Sequence, residues 1–309
     1  MNIKQTIHIL IIFQLLTFTP GVFAQQSEDS LAFEKLQEML TSSDKDIKLN
    51  TINEISKLPG STSIPLLQQA LTDENVWVRV ASIINIFNIE REASVPILRA
   101  AAYDKDPRVQ IACLWALSQA NDPSVLKIFE DQIKNDSVQV RLMSAWALGN
   151  TNNTLAVPIL INALDEPDAI VNIEISKALS KVGSKDIIPA LEEKLNSDNP
   201  KIRSAFINTI GNIGDSSSLK IILKKVKDPD SSVRTSVMGA LAKLGNATII
   251  FNIEDALNDS EPDVRSKAAF ALGEIGQKSS LPALSKAVTD TNPDVSLNAS
   301  IAIIKISSK

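Results

Sequence analysis

Histidine is almost missing from this chain. The single one, His8, lies in an N-terminal segment that has the marks of a removable signal. Beyond that segment, an imidazole general base, a histidine metal ligand and a Ser-His triad are all excluded. Cysteine is as scarce: Cys113 stands alone, so no internal disulfide can staple the fold and stability has to come from packing. Cys113 falls on a core position of the pattern described below and reads as a small buried hydrophobe, not a reactive thiol. The chain has no Gly-rich phosphate loop, no Cys/His metal cluster and no nucleophile elbow. No catalytic residue, metal or cofactor is expected. A surplus of positive charge is also lacking, since the whole sequence carries a formal −5. Removing Lys4 with the leader leaves 36 acidic residues against 30 basic ones, or −6. Nucleic acid needs a clustered basic surface and is not the expected partner.

The leader is read from three features. Lys4 gives a positive start, Ile7 to Phe18 form a mostly apolar run interrupted by Gln14, and Pro20-Gly21 precede the small-x-small pattern Val22-Phe23-Ala24. A signal peptide over 1–24, cut after Ala24, follows. The competing reading is an uncleaved anchor, which needs roughly 20 apolar residues to span a bilayer, more than this run offers. The chain is therefore expected to be exported, periplasmic or secreted, with no stable membrane insertion. A short polar lead, 25–30, precedes one repeat domain over 31–309.

What the chain does have is a repeat without slip. Ile47, Val78, Val109, Val140, Val171, Ile202, Val233, Val264 and Val295 stand 31 residues apart. A period of this length marks a solenoid, in which each unit buries its apolar face only against its neighbours. Taking these residues as position zero, positions 0, +4, +7, +8 and +11 lie on one face at 100° per residue and predict an amphipathic helix, helix B. Its N-cap is written three residues earlier, from Asp44, Asn75 and Asp106 through Ser137 to Asn292, with Glu261 the poor capper of the nine. Gly183, Gly214, Gly245 and Gly276 at +12 suit a left-handed turn at its end. A second apolar set at +17, +20 and +24 predicts helix A, with Pro65, Pro96, Pro158, Pro189 and Pro282 in its first turn. Phe33, Leu36 and Leu40 extend the set backwards, giving nine helix pairs.

Segments such as Val264-Arg265-Ser266-Lys267-Ala268-Ala269-Phe270-Ala271-Leu272-Gly273 and Val140-Arg141 with Ala147-Leu148-Gly149 resemble the HEAT-like repeats named for phycobilisome lyases. The resemblance covers everything after the leader. It implies an all-α, right-handed α-solenoid of nine two-helix HEAT-like repeats, and it speaks weakly to function, because such repeats serve in lyases, other enzymes and pure binding scaffolds. It also implies an ion-pair ladder between neighbouring repeats, formed by an Asp before helix B and an Arg at +1. The matches are Asp73 with Arg79, Asp228 with Arg234 and Asp259 with Arg265, and more loosely Asp136 with Arg141 and Asp198 with Arg203. Gln110, Asn172 and Ser296 depart from it. Acidic turns such as Asp104-Lys105-Asp106 lack the tight glycine turn of a calcium loop and read as helix caps.

One irregularity bears on function. Near +2, +6, +9 and +10, the face expected to line the concave side, repeats two to four carry Val80, Ile84 and Phe87, then Ile111 and Trp115, then Leu142 and Trp146. Repeats six and seven carry Ser204, Asn208, Thr235 and Gly239 at the matching +2 and +6 positions. An apolar row with aromatics is what a partner site looks like, whereas the plainer reading is packing against neighbouring helices. The expected function is an exported scaffold that binds a protein or peptide through this groove. A carbohydrate-binding module using the paired tryptophans and a bilin-lyase-like enzyme are the alternatives. Helix B of the ninth repeat adds Leu297, Ile301 and Ile304 to its core set, so weak homodimerisation or a partner docked there is expected as well.

Overall fold

The computed structural model describes residues 20–245 and 247–308, with side chains from residue 28 onward except that of residue 247. The expected signal segment therefore lies outside the described side chains. Every regular element described is helical, and none of the helices described is long and apolar enough to cross a membrane. Helices A and B alternate as the 31-residue pattern demands. The B helices are Lys45–Ile55, Val76–Glu90, Pro107–Ser118, Val138–Asn150, Ala169–Val182, Pro200–Ile213, Ser231–Leu244, Pro262–Ile275 and Pro293–Ser307. The first A helix is long, Pro20–Leu40, and so includes residues 25–30. Later A helices are short, Ile188–Glu192 and Leu219–Leu223 for example, and several open with a 3-10 turn. Pro96, Pro189 and Pro282 lie at the first or second helical position, but Pro65 sits inside Gly60–Ala70 because that helix starts a turn earlier than the apolar spacing suggests.

The chain forms two compact units, Met1–Ala116 and Leu117–Lys309. In the first, Ile52, Ile55, Leu66, Leu67, Ile83, Ile86 and Leu98 are fully buried. In the second, Leu148, Leu160, Leu191, Phe206, Ile222, Leu241, Ile253 and Leu272 are equally so. Most of these residues occupy the B-helix position +8 and the A-helix position +20, and each B helix packs on the B helix of the neighbouring repeat as well as on its A helix. Burying one such side chain contributes about 1.5–3 kcal/mol. Cys113 belongs to this set: it is buried, its Sγ lies 3.1 Å from the Leu98 carbonyl, and burial pushes its thiol pKa up. Ile47 differs from the other position-zero residues in being 40% exposed, since among the described residues one helix precedes it rather than a helix pair.

Caps confirm most of the predicted starts. Side chains of Asp44, Asn75, Asp106, Asp168, Asn199, Asp230 and Asn292 accept first-turn N–H groups. Glu261 does not, as expected of a longer side chain. Ser137 also fails to cap, because its hydroxyl is turned to Gln139 Oε1 at 3.0 Å. The glycines at +12 divide. Gly214 and Gly245 take the left-handed conformation, with φ of 77° and 46°. Gly183 and Gly276 instead leave the helix extended, and their lack of a side chain is needed for space: a Cβ there would run into the Leu179 or Leu272 carbonyl and the tip of Ile187 or Ile306.

The ladder exists in a different register from the one expected. Arg79 does not pair with the Asp73 carboxylate. Its Nη1 donates to the Asp73 backbone carbonyl, while Nε and Nη2 grip Asp104, 25 residues ahead, at 2.8 Å each. Asp73 instead receives Lys48 at 2.6 Å. In the second unit Arg141 grips Glu166, Arg203 grips Asp228, Arg234 grips Asp259 and Arg265 grips Asp290, each through two nitrogens at 2.6–2.9 Å. Asp136 and Asp198 contribute only backbone carbonyls. The carboxylate belongs to the next repeat because the guanidinium fills the space between its own B-helix entry loop and the following one. Where +1 is neutral, at Gln110 and Asn172, the residue 25 positions ahead is neutral too, Asn135 and Ser197. Cation and acid are thus present or absent together, as pairing without an uncompensated buried charge requires.

Candidate partner-binding surface

The B-helix residues turned away from the A helices are where chemistry differs between repeats. In the first unit, Val80 and Ile111 are half-buried, Ile84 is 36% exposed and Trp115 is 39% exposed. Phe87 is not part of that surface. It is 1% exposed and belongs to the core, because position +9 meets the seam with the next B helix. The same position in the second unit holds Gly149, Gly211 and Gly273, which bring their helices into contact with Ala178, Ala240 and Ala302. Phe87 fills the corresponding seam with a ring instead of closing it. Trp115 stands edge-to-face on Phe87, ring centroids 6.2 Å apart and planes at 72°, and the Arg91 guanidinium lies 5.3 Å from the Phe87 ring. Arg91 holds this place with a left-handed φ of 48°, a conformation that costs a side-chain-bearing residue energy. The result is a tryptophan braced from beneath with its outer part open.

In the second unit, Leu142 and Trp146 are both half-buried on their B helix. Further along, serines, asparagines and lysines take the place of the large apolar side chains. Ser180, Ser204, Asn208 and Asn212, together with Lys177, Lys181 and Lys201, line a depression of about 630 Å³ across the B helices of repeats five to seven. A second depression of about 490 Å³ shares Asn208 and Ser236 with it and runs on to Gly239, Lys267 and Phe270. Polar side chains bridge adjacent helices here: Asn208 donates to Ser236 at 3.3 Å, Asn212 donates to Ser180 at 2.8 Å, and Lys243 donates to Asn212.

Three further exposed features lie outside the apolar row that the sequence pattern marks. Phe270, 40% exposed, occupies the same +6 position as Trp115, with Lys267 Nζ 4.5 Å from its ring centroid. A comparison of +6 across all nine repeats finds it. Trp77 is half exposed with Arg108 stacked at 5.4 Å, and Arg108 also holds Asp106, whose pKa falls to about 2 through that hydrogen bond. No periodic signal marks Trp77, which precedes a core position. Tyr103, likewise half exposed, lies at the end of a 3-10 turn outside both helical patterns. On the ninth B helix, Leu297, Ile301 and Ile304 are 57%, 42% and 70% exposed, an apolar row of the kind its sequence suggests.

A family model for HEAT repeats matches residues 64–140, 131–199, 188–250 and 252–309, most of the chain. The chain belongs to the HEAT-repeat family. Its fold is that of Kap121p, with a TM-score of 0.69 over 89% of this chain and 37% of the longer one at 14% identity. The Escherichia coli protein YibA is similar over 87% of this chain and 98% of its own, at 19% identity and a TM-score of 0.56. The complex of CpcE and CpcF of phycocyanin lyase from Nostoc sp. PCC7120 aligns at 16% identity over 79% of this chain and 94% of that chain, with a TM-score of 0.43, too low to bear on activity. No curated protein matches the sequence. HEAT-repeat solenoids generally serve as scaffolds for protein interaction, because stacked helix pairs present long continuous surfaces rather than closed pockets.

Proposed function

We propose that this HEAT-repeat chain is an exported, non-catalytic scaffold that holds a protein partner by seating an apolar segment on the exposed B-helix surface around Trp115. The observation that carries this reading is the braced ring: Trp115 rests on buried Phe87 while 39% of it stays open. A large aromatic whose orientation is already set loses little freedom on binding, which is why such residues dominate binding energy. Leu142 and Trp146 are the second unit's part of the reading. Export rests on Lys4, the apolar run and Val22-Phe23-Ala24; the absence of catalysis rests on a sequence without histidine after His8.

The test is co-purification of the tagged protein from the extracytoplasmic fraction, followed by binding of the recovered partner to Trp115→Ala. Loss of affinity with a retained fold supports the reading. An unchanged affinity refutes the surface, capture of a glycan in place of a polypeptide moves the reading to carbohydrate binding, and a mature chain that does not begin at Gln25 refutes export.

A further inference from the structure

We infer that the lysine-bearing trough on the B helices of repeats five to eight binds an extended acidic polypeptide segment, at a surface independent of the Trp115 patch. The two depressions, about 630 and 490 Å³, adjoin through Asn208 and Ser236, so they form one continuous trough within the second unit. The larger one has no carboxylate in its lining although the whole chain is acidic, with a formal charge of −5. Lys177 is paired with Glu174 at 3.0 Å, but Lys181 and Lys201 have no acidic partner among the described residues. Two unneutralised ammonium groups facing one depression give it a local positive field that the net charge conceals.

The remaining lining selects among anions. The larger depression contains neither an arginine fork to grip phosphate bidentately nor an aromatic face on which bases or sugars could stack. It offers hydroxyls and side-chain amides, which both donate and accept and so match the N–H and C=O groups of an extended backbone. Asn208 uses one amide hydrogen on Ser236 and keeps its Oδ1 open to a backbone donor. Packed helices stand about 10 Å apart, and an extended chain advances about 3.3 Å per residue. Each repeat therefore covers about three residues of the ligand, so that acidic side chains at that spacing meet successive lysines. At the far end Lys267 and Phe270 supply a last cation and an apolar stop, and the one carboxylate there, Glu274, is held by Lys305 at 2.6 Å.

The probe is a fluorescein-labelled twelve-residue oligoglutamate titrated with the full chain, read by anisotropy. The expected result is saturable binding that weakens with salt and falls about tenfold or more in Lys181→Glu/Lys201→Glu. Lys278→Glu/Lys286→Glu, which makes the same change of charge away from the trough, is expected to retain affinity within about threefold. Asn208→Ala should weaken binding without changing its salt dependence, and Trp115→Ala should leave it untouched. Circular dichroism establishes that each variant is folded; all the substituted lysines are surface residues. Absence of binding by the wild-type chain, equal losses in the two charge-reversal variants, or tighter binding of a charge-matched heparin oligosaccharide or oligothymidylate would each overturn the inference.

Discussion

Repeats two and three of the first unit and repeats six and seven of the second use one positional template and fill its outer face with opposite chemistry. Positions +2 and +6 hold Val80, Ile84, Ile111 and Trp115 in the first unit, and Ser204, Asn208, Thr235 and Gly239 in the second. Meanwhile their core positions are interchangeable, and the guanidinium grips of Arg79 and Arg203 are built from the same atoms at nearly the same distances. The contrast teaches that stacking is settled by the core, the seam and the ladder. Because +2 and +6 contribute little to any of these, they are left to differ, and a difference there is more informative about function than any shared residue.

The largest expected effect tests what the units share. Phe87→Ala and Phe206→Ala should each cost about 3–5 kcal/mol in chemical denaturation, since both rings are fully buried although the helical wheel assigns only Phe206 to the core. Next comes the ladder. Arg203→Ala leaves Asp228, 7% exposed, without its cation and should cost about 3 kcal/mol or more. Replacing Arg203 and Asp228 together by Gln and Asn, the neutral type found at Asn172 and Ser197, should recover much of that loss if pairing rather than charge itself is what the junction needs. A double variant no more stable than Arg203→Ala would break this account.

The difference between the units is sharpened by Trp115→Ala, expected to cost about 2 kcal/mol in partner affinity while destabilising less than Phe87→Ala. Ser204→Ala in the second unit should change neither. If Trp115→Ala proves as destabilising as Phe87→Ala, the apolar row is packing and the contrast loses its functional meaning. A smaller effect concerns pH. Arg234 and Arg265 hold the carboxyls of Asp259 and Asp290 below the ordinary range. A carboxylate whose folded pKa is lowered stabilises fully above its unfolded value of about 4 and loses that contribution as pH falls through the folded value. The Tm of the chain should therefore drop from pH 5 towards pH 2, and less steeply in Arg234→Gln/Asp259→Asn. Finally, light scattering over a concentration series should show weak association that Leu297→Ser/Ile301→Ser/Ile304→Ser abolishes; a strict monomer would leave the exposed row of the ninth repeat without that role.

Much of the fold is legible in the sequence. The landmarks from Val78 to Val295 are buried, as the unbroken 31-residue spacing requires, and seven of the nine cap residues cap. Each of these depends on a few neighbouring residues in one helix. Phe87 escapes such a reading because a helical wheel puts +9 opposite the core and knows nothing of the adjacent B helix. The position of Gly183 and Gly276 suggests a dihedral role, whereas the requirement is room for the Ile187 and Ile306 tips. The ladder's register is hidden in the same way: acid and arginine lie six residues apart within a repeat, while the guanidinium reaches the carboxylate 25 residues away. Of the candidate surface, the apolar row is visible as a contrast between repeats, but the bracing of Trp115 is not, since it depends on where Phe87 goes.

The sequence by itself determined the helices, their pairing into repeats and the faces that form each core, because those follow from local periodicity and capping. Only the tertiary structure decided which carboxylate each arginine grips, that Phe87 fills a seam, that Trp115 remains open upon it, and that serines, asparagines and lysines from successive helices come together in one trough. Those outcomes depend on the spacing between neighbouring helices, a quantity that no single repeat encodes.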